Sequence, residues 1–408
     1  MRPMTREQLG RVLRRYRGVS HRLRRPFTRY RCRHGSVARR ADLSVPAVTA
    51  DPGQSSRRSR RLPVAPVTHA IGVGVVYLLA AQSRVGQRRL HLLGQMALAA
   101  WFFAQSFRRI EYIVTHEIPL GVDIRIYYRA VQEWLAGGNP WSANVVLTLQ
   151  NHHASLSYAG SPATLVVLAP SALLSEDQFI AVWLGLSALS AVAIVRWLHL
   201  PLWWIFFPPT VEALYSGNPQ IVVLMLLLAG AGRAGVVADA IAAALKVYAV
   251  VPMLVERRLW RVVIALGFTL ATVAIAPSLW IDYLNRFTEI SARLARESSG
   301  GYSAFYHPVF IIPTVTAIVL LWRRDRRAAG WLLVPALWPS TEFHYSTFAQ
   351  PVMAPILAVL LAVPAHRIVP VAIIIYVAWR YAADPVRTRL AAWAAEAAPG
   401  TASSAPAP

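Results

Sequence analysis

The sequence predicts an all-α polytopic membrane protein, a bundle of about 10 to 12 transmembrane helices with one amphipathic helix in its first outer loop. Three observations carry this. The 408 residues are 56% hydrophobic and only 15% charged, with positive mean hydropathy, a balance that soluble enzymes do not show. Several uncharged apolar runs approach the roughly 20 residues that a helix needs to cross the hydrocarbon core, and none shows the dyad alternation of an outer-membrane barrel. Finally, GVDIRIYYRAVQEWLAGGNPW (121–141) sets an acid, two arginines and two tyrosines into a chain that is otherwise mostly hydrocarbon.

Residues 1–63 form a separate object, with eighteen arginines against Glu7, Asp42 and Asp51. With no apolar h-region near its start, this tail does not read as a secretory signal peptide. It reads as a disordered cytoplasmic segment drawn to anionic headgroups. Nucleic-acid binding needs aromatic interleaving or a fold that the tail lacks, so no specific nucleic acid is expected; a misplaced translation start is a third reading. The one cysteine, Cys32, excludes an internal disulfide and a cysteine-based metal cluster.

Hydropathy then marks candidate spans near 64–83, 89–107, 158–174, 177–196, 200–215, 218–232, 234–254, 259–278, 306–322, 328–339, 347–363 and 366–382. VERRLWR (255–261), WRRDRRAAG (322–330) and the pair Arg88 and Arg89 are anchors for the cytoplasmic side. Placing all three there puts 108–157, 279–305 and 340–346 outside. A spanning 64–83 would carry the basic tail outward against the charge rule, so 64–88 is read as a surface-lying or re-entrant helix; the other reading is a true first span. Residues 386–408 read as a flexible end.

Within the polar island, Asp123, Tyr127, Ala130 and Trp134 share one helical face, and Arg125, Arg129 and Gln132 form the neighbouring stripe. GlyGlyAsnPro at 137–140 ends the helix. One reading is an interfacial helix with aromatic rings at headgroup depth and arginines on phosphate. The other is catalytic: a carboxylate takes a hydroxyl proton beside rings that stack on a sugar, while arginines hold phosphate.

The run DIRIYYRAVQEWLAGGNPW, followed in order by SPATLVVLAP (161–170), SGNPQIVVLMLLL (216–228) and AAALKVYAVVPMLVERR (242–258), resembles the polyprenyl-phosphate-mannose-dependent mannosyltransferases of glycosyltransferase family 87. The resemblance covers about 89–382. It implies a GT-C-type membrane bundle whose catalytic domain occupies about 89–385, and a site facing the outside of the plasma membrane. It also implies transfer of mannose, with inversion, from a polyprenyl-phosphate donor to a hydroxyl of an envelope glycan, glycolipid or polysaccharide. Asp123 stands where such enzymes carry the general base. No cofactor is implied, the lipid-phosphate sugar being a co-substrate.

Four further groups complete the candidate site. Lys246, the only lysine, sits in an apolar run where a mid-bilayer charge costs about 3 kcal/mol. It reads either as a contact to lipid phosphate, as the resemblance implies, or as a buried ion pair or snorkelling group. Asp239, about 10 Å of helical rise away, is too far for a direct pair. In WPSTEFHYSTFAQP (338–351), Glu342, His344, Tyr345 and Gln350 gather on the same outer side as Asp123. There His344 is a candidate for protonating the departing phosphate or orienting the acceptor, and the plain alternative is a headgroup-facing turn. SGNPQ offers Asn218 and Gln220 as hydrogen-bonding groups or as a structural turn, and Glu212 is a buried acid with no assigned role. The metal prediction is none: Glu342 and His344 supply two ligands, HExxH spacing is missing, and a missing DxD suits a lipid-phosphate donor. The rival readings are a polyprenyl-phosphate-arabinofuranose transferase, a flippase or transporter of lipid-linked saccharides, and a scaffold for envelope assembly.

Overall fold

The computed structural model describes residues 84–149, 152–230, 235–297, 301–339 and 341–396. The arginine-rich tail, the segment 64–83 and Cys32 lie outside the described residues. The chain divides into two units, one of residues 93–383 and one of 1–92 with 384–408, and everything below concerns the first unless stated.

The described chain is mostly helical. In order come α1 (Arg84–Thr115), α2 (Val122–Leu135), a hairpin of β1 (Asn144–Leu149) and β2 (His152–Ser157), α3 (Pro162–Leu168), α4 (Glu176–Trp197), α5 (Pro208–Ser216), α6 (Gln220–Ala229) and α7 (Gly235–Leu245). Then follow α8 (Val250–Val255), α9 (Leu259–Ile275), α10 (Pro277–Glu297), α11 (Pro308–Arg324), α12 (Arg326–Leu337), α13 (Pro355–Leu361) and α14 (Ile368–Glu396). Five of these helices open on a proline, Pro162, Pro208, Pro277, Pro308 and Pro355, where the missing N–H is not needed. Helix α4 starts with a reciprocal cap: Ser175 Oγ accepts from Gln178 N–H, and Gln178 Oε1 accepts from Ser175 N–H.

The hydropathy runs at 177–196, 306–322 and 328–339 each become one helix of nearly the same bounds. Others are broken. Run 158–174 is a short α3 continued by a 3-10 turn to Leu173, and 200–215 with 218–232 become a 3-10 turn and the pair α5–α6, bent by 112° at Gly217 to Pro219. Run 234–254 breaks at Lys246, and the chain from Phe343 to Val352 is 3-10 helix before α13. Helix α14 continues to Glu396, through the stretch expected to be a flexible end from 386. The all-α expectation holds for the described residues, whose one departure is a two-stranded hairpin in antiparallel register from Asn144↔Ser157 to Leu149↔His152.

Among the described residues, α4 is the one helix long and apolar enough to cross a membrane; counting the bent pairs α5–α6 and α9–α10 as single spans makes three. Helix α4 buries Phe179, Trp183, Ser187 and Ile194 while Val182, Leu186 and Leu189 stand exposed, so it is apolar on its outward face as well. The core has two parts. One gathers α2, α4, α6 and α7 around Trp141, Tyr248 and Trp331; the other gathers Phe102, Trp204 and Phe207 against α11 to α14.

Candidate functional site

Helix α2 is fixed at its first residue. Gly121 is left-handed (φ 72°), donates its N–H to Tyr215 C=O at 2.8 Å, and lies so close to α4 that a Cβ there would stand 2.9 Å from Ile180 Cγ2. Two residues on, in the first turn of the helix, Asp123 is half-buried near the positive end of the helix dipole. Tyr127 and Ala130 lie buried on the face foreseen for them, with Trp134 half-buried against the core.

The second element is the turn Ser216 to Gln220 between α5 and α6. Gly217 is left-handed (φ 69°), its carbonyl accepts from Trp183 Nε1 at 2.8 Å, and a Cβ there would meet Ile124 Cγ2 at 2.8 Å. This backbone holds Asn218 so that its Nδ2 donates to Asp123 Oδ2 at 2.8 Å while its Oδ1 accepts from Gln220 N–H at 3.1 Å. Gln220 Oε1 in turn accepts from the Tyr248 hydroxyl. Asn218 thus contacts the candidate base directly, and Gln220 braces the turn from behind.

Lys246 occupies the extended residue at the break after α7. Its Nζ stands 5.6 Å from the centre of the Tyr127 ring and 5.9 Å from that of Tyr345, within cation–π range of both. Asp239 is engaged elsewhere, with Arg258 and Arg261 each at 3.1 Å, in agreement with the helical spacing that separates it from Lys246.

The third element is the segment from Thr341. His344 is 1% exposed, and neither ring nitrogen has a hydrogen-bond partner. Nδ1 lies 3.6 Å from Glu342 Oε2 and 3.7 Å from Glu212 Oε1, charge contacts too long to be hydrogen bonds. Glu212 is gripped from the other side by Arg109 Nε at 2.5 Å. Burial pulls the imidazole pKa down, but Glu212, Glu342 and Asp123 outweigh it and hold His344 above its ordinary value. Glu342 opens into a cleft of about 460 Å³ that Arg108, Arg109, Tyr112 and Tyr302 also line. Its carboxyl is held above its ordinary value, first by reduced hydration in that recess and then by the Asp123 and Glu212 charges, with His344 opposing; the side chain, 55% accessible, keeps part of its water and so moderates the rise.

The structure therefore brings Asp123, Asn218, Glu342 and His344 together, with Lys246 between Tyr127 and Tyr345. Arg125 and Arg129 face another way. Arg125 pairs with Glu176 at 2.6 Å and with Asp177 at 3.7 Å; Arg129 reaches Glu176 at 3.5 Å and the Asn144 carbonyl at 3.1 Å. They tie α2 to the start of α4. Sequence reasoning missed Arg109 and left Glu212 without a role. Arg108 and Arg109 follow directly on the apolar run 89–107, and nothing in their spacing points to residue 212.

Comparison of the chain with family models, with curated proteins and with solved structures finds no match.

Proposed function

We propose that the protein is a membrane-embedded glycosyltransferase of GT-C type that moves a sugar, mannose first, from a polyprenyl-phosphate donor to a hydroxyl of an envelope glycan, glycolipid or polysaccharide, outside the plasma membrane. One observation carries this reading: a carboxylate oriented by Asn218 stands beside an imidazole, a buried ammonium and a second carboxyl, Glu342, that lines a cleft. The exposed apolar face of α4 supports a position in lipid, and the outward orientation of the site is part of the proposal.

The chemistry is a single displacement. Asp123 takes the proton of the acceptor hydroxyl as its oxygen attacks the anomeric carbon, the bond from that carbon to the phosphate oxygen breaks, and the sugar inverts. The lipid phosphate departs with the electron pair. Lys246 offsets its charge, and His344 is the group positioned to protonate it or to hold the acceptor. Asn218 keeps the Asp123 carboxylate aimed. A general base of this kind supplies a factor of about 10² to 10⁴ in rate.

The test is transfer of labelled sugar to a membrane-lipid extract by the purified protein, with polyprenyl-phosphate-mannose and the corresponding arabinofuranose donor in parallel. A labelled, inverted product from the mannose donor is the expected result. Product from the pentose donor alone moves the assignment to an arabinofuranosyltransferase, and no product from either donor overturns it.

A further inference from the structure

Asp123, Glu342 and His344 each offer one ligand atom, and these atoms lie within 4.8 Å of one another, the one such cluster of three among the described residues. We propose that these three side chains form a divalent-cation site beside the cleft that Glu342 lines. The sequence pairs only Glu342 with His344; Asp123 arrives from more than 200 positions earlier through the docking of α2.

Independent of that cluster, His344 is almost fully buried, yet both of its ring nitrogens lack a hydrogen-bond partner, a costly state for an imidazole with no ligand. Its Nδ1 approaches Glu212 at 3.7 Å, and Glu212 is itself fixed by Arg109. Glu342 approaches that same nitrogen at 3.6 Å, so both carboxylates lie on one side of the ring and neither is close enough to hydrogen-bond it. Charge points the same way. Three carboxylates, those of Asp123, Glu342 and Glu212, converge on the imidazole, against two fixed cations, Arg109 and Lys246.

On binding, the ligand atoms must close to roughly 3 Å apart, the spacing set by bonds of about 2.1 Å. Glu342 can make that movement, because its side chain is 55% accessible and meets His344 Nδ1 at 3.6 Å, beyond hydrogen-bond length. Asp123 keeps its bond from Asn218 on Oδ2 and still has lone pairs to give. Two carboxylates and one imidazole suit Mn²⁺ or Zn²⁺ better than Ca²⁺. With three protein ligands the ion retains open positions, and an oxygen of the donor phosphate is the ligand they would take. That role rests on the glycosyltransferase reading; binding of the ion does not.

The test is titration of the chelator-stripped full chain in detergent with Mn²⁺ and no donor, following loss of the free-ion signal by electron paramagnetic resonance. Wild type is compared with Glu342→Gln and His344→Gln, folding being checked by thermal unfolding. Expected are about one ion per chain, a Kd at least tenfold weaker in each variant, and displacement by Zn²⁺. Glu342→Gln, on an accessible side chain, keeps the test valid if His344→Gln does not fold. Absence of binding up to millimolar Mn²⁺, or equal binding by wild type and Glu342→Gln, overturns the site. Sugar transfer at full rate by stripped protein in chelator overturns the ion's contact with the donor phosphate and leaves the proposed function standing. Mn²⁺ bound with the expected losses and no transfer from any donor supports the site and removes the function.

Discussion

Asn218 Nδ2 donates to Asp123 Oδ2 at 2.8 Å, joining residues 95 positions apart and making the bent α5–α6 turn the support of the first-loop helix. A hydrogen bond to a charged group contributes about 1.5 to 3 kcal/mol. If that bond aims the base, Asn218→Ala lowers kcat by roughly 10- to 100-fold, with KM for the donor little changed. Steady-state kinetics of the two proteins checks this, and an unaltered kcat would show that Asp123 needs no such support.

Lys246 is held over Tyr127 and Tyr345 by cation–π contacts that leave its ammonium able to take a phosphate oxygen as a further partner. Lys246→Met should raise KM for the lipid-phosphate donor by about tenfold or more, and Lys246→Arg should recover part of the loss. Equal KM values for all three proteins would return Lys246 to a structural role.

Arg125 and Glu176 are each about a quarter exposed, so their pairing is worth no more than about 1 kcal/mol. Arg125→Ala should therefore cause a small fall in the thermal midpoint and no change in donor KM. A large rise in KM would restore the arginine to the substrate site where sequence reasoning placed it.

Asp239 is fully buried against Arg258 and Arg261. Removing one partner of a buried charge cluster leaves the others uncompensated, a loss of about 3 to 5 kcal/mol. Asp239→Ala should unfold at markedly lower temperature in detergent, whereas Asp239→Asn, which keeps hydrogen bonding, should lose less.

The carboxyl of Glu342, at about 7 in the folded chain against 4.5 ordinarily, binds its proton more tightly folded than unfolded. Its stabilising contribution is therefore fully present below about pH 4.5 and is lost as pH rises through about 7. His344, also held above its ordinary value, adds a term of the same sign, lost as pH rises beyond its folded pKa. With metal chelated, the thermal midpoint of wild type should fall between pH 5 and 8, and Glu342→Gln should flatten that fall. A midpoint that rises over the same interval in wild type alone would contradict the assignment.

The sequence makes the helical class legible because long apolar runs and proline starts are local features. Helix α2 is legible for the same reason: the four-and-three spacing of Asp123, Tyr127 and Ala130 and the glycines at 137 and 138 set both its buried face and its end. The breaks are less so, since Lys246 interrupts a run whose composition reads as one helix, and SGNPQ reads equally as a loop or a bend. Long-range partners are not legible at all. Glu176 draws Arg125 and Arg129 away from the site, and Arg109 and Glu212 enter it, through contacts that no spacing along the chain encodes. The hairpin of 144–157 carried a local sign, a β-branched apolar run on one side of GlnAsn, inside a loop whose hydropathy suggested nothing more.

The central claim concerns Asp123, and single-turnover transfer from radiolabelled polyprenyl-phosphate-mannose by wild type and Asp123→Asn tests it most directly, with donor binding measured on the same samples. A fall of 10² to 10⁴ in the transfer rate with donor affinity retained is the expected result for a general base. Equal rates in the two proteins would contradict it and return α2 to an interfacial helix.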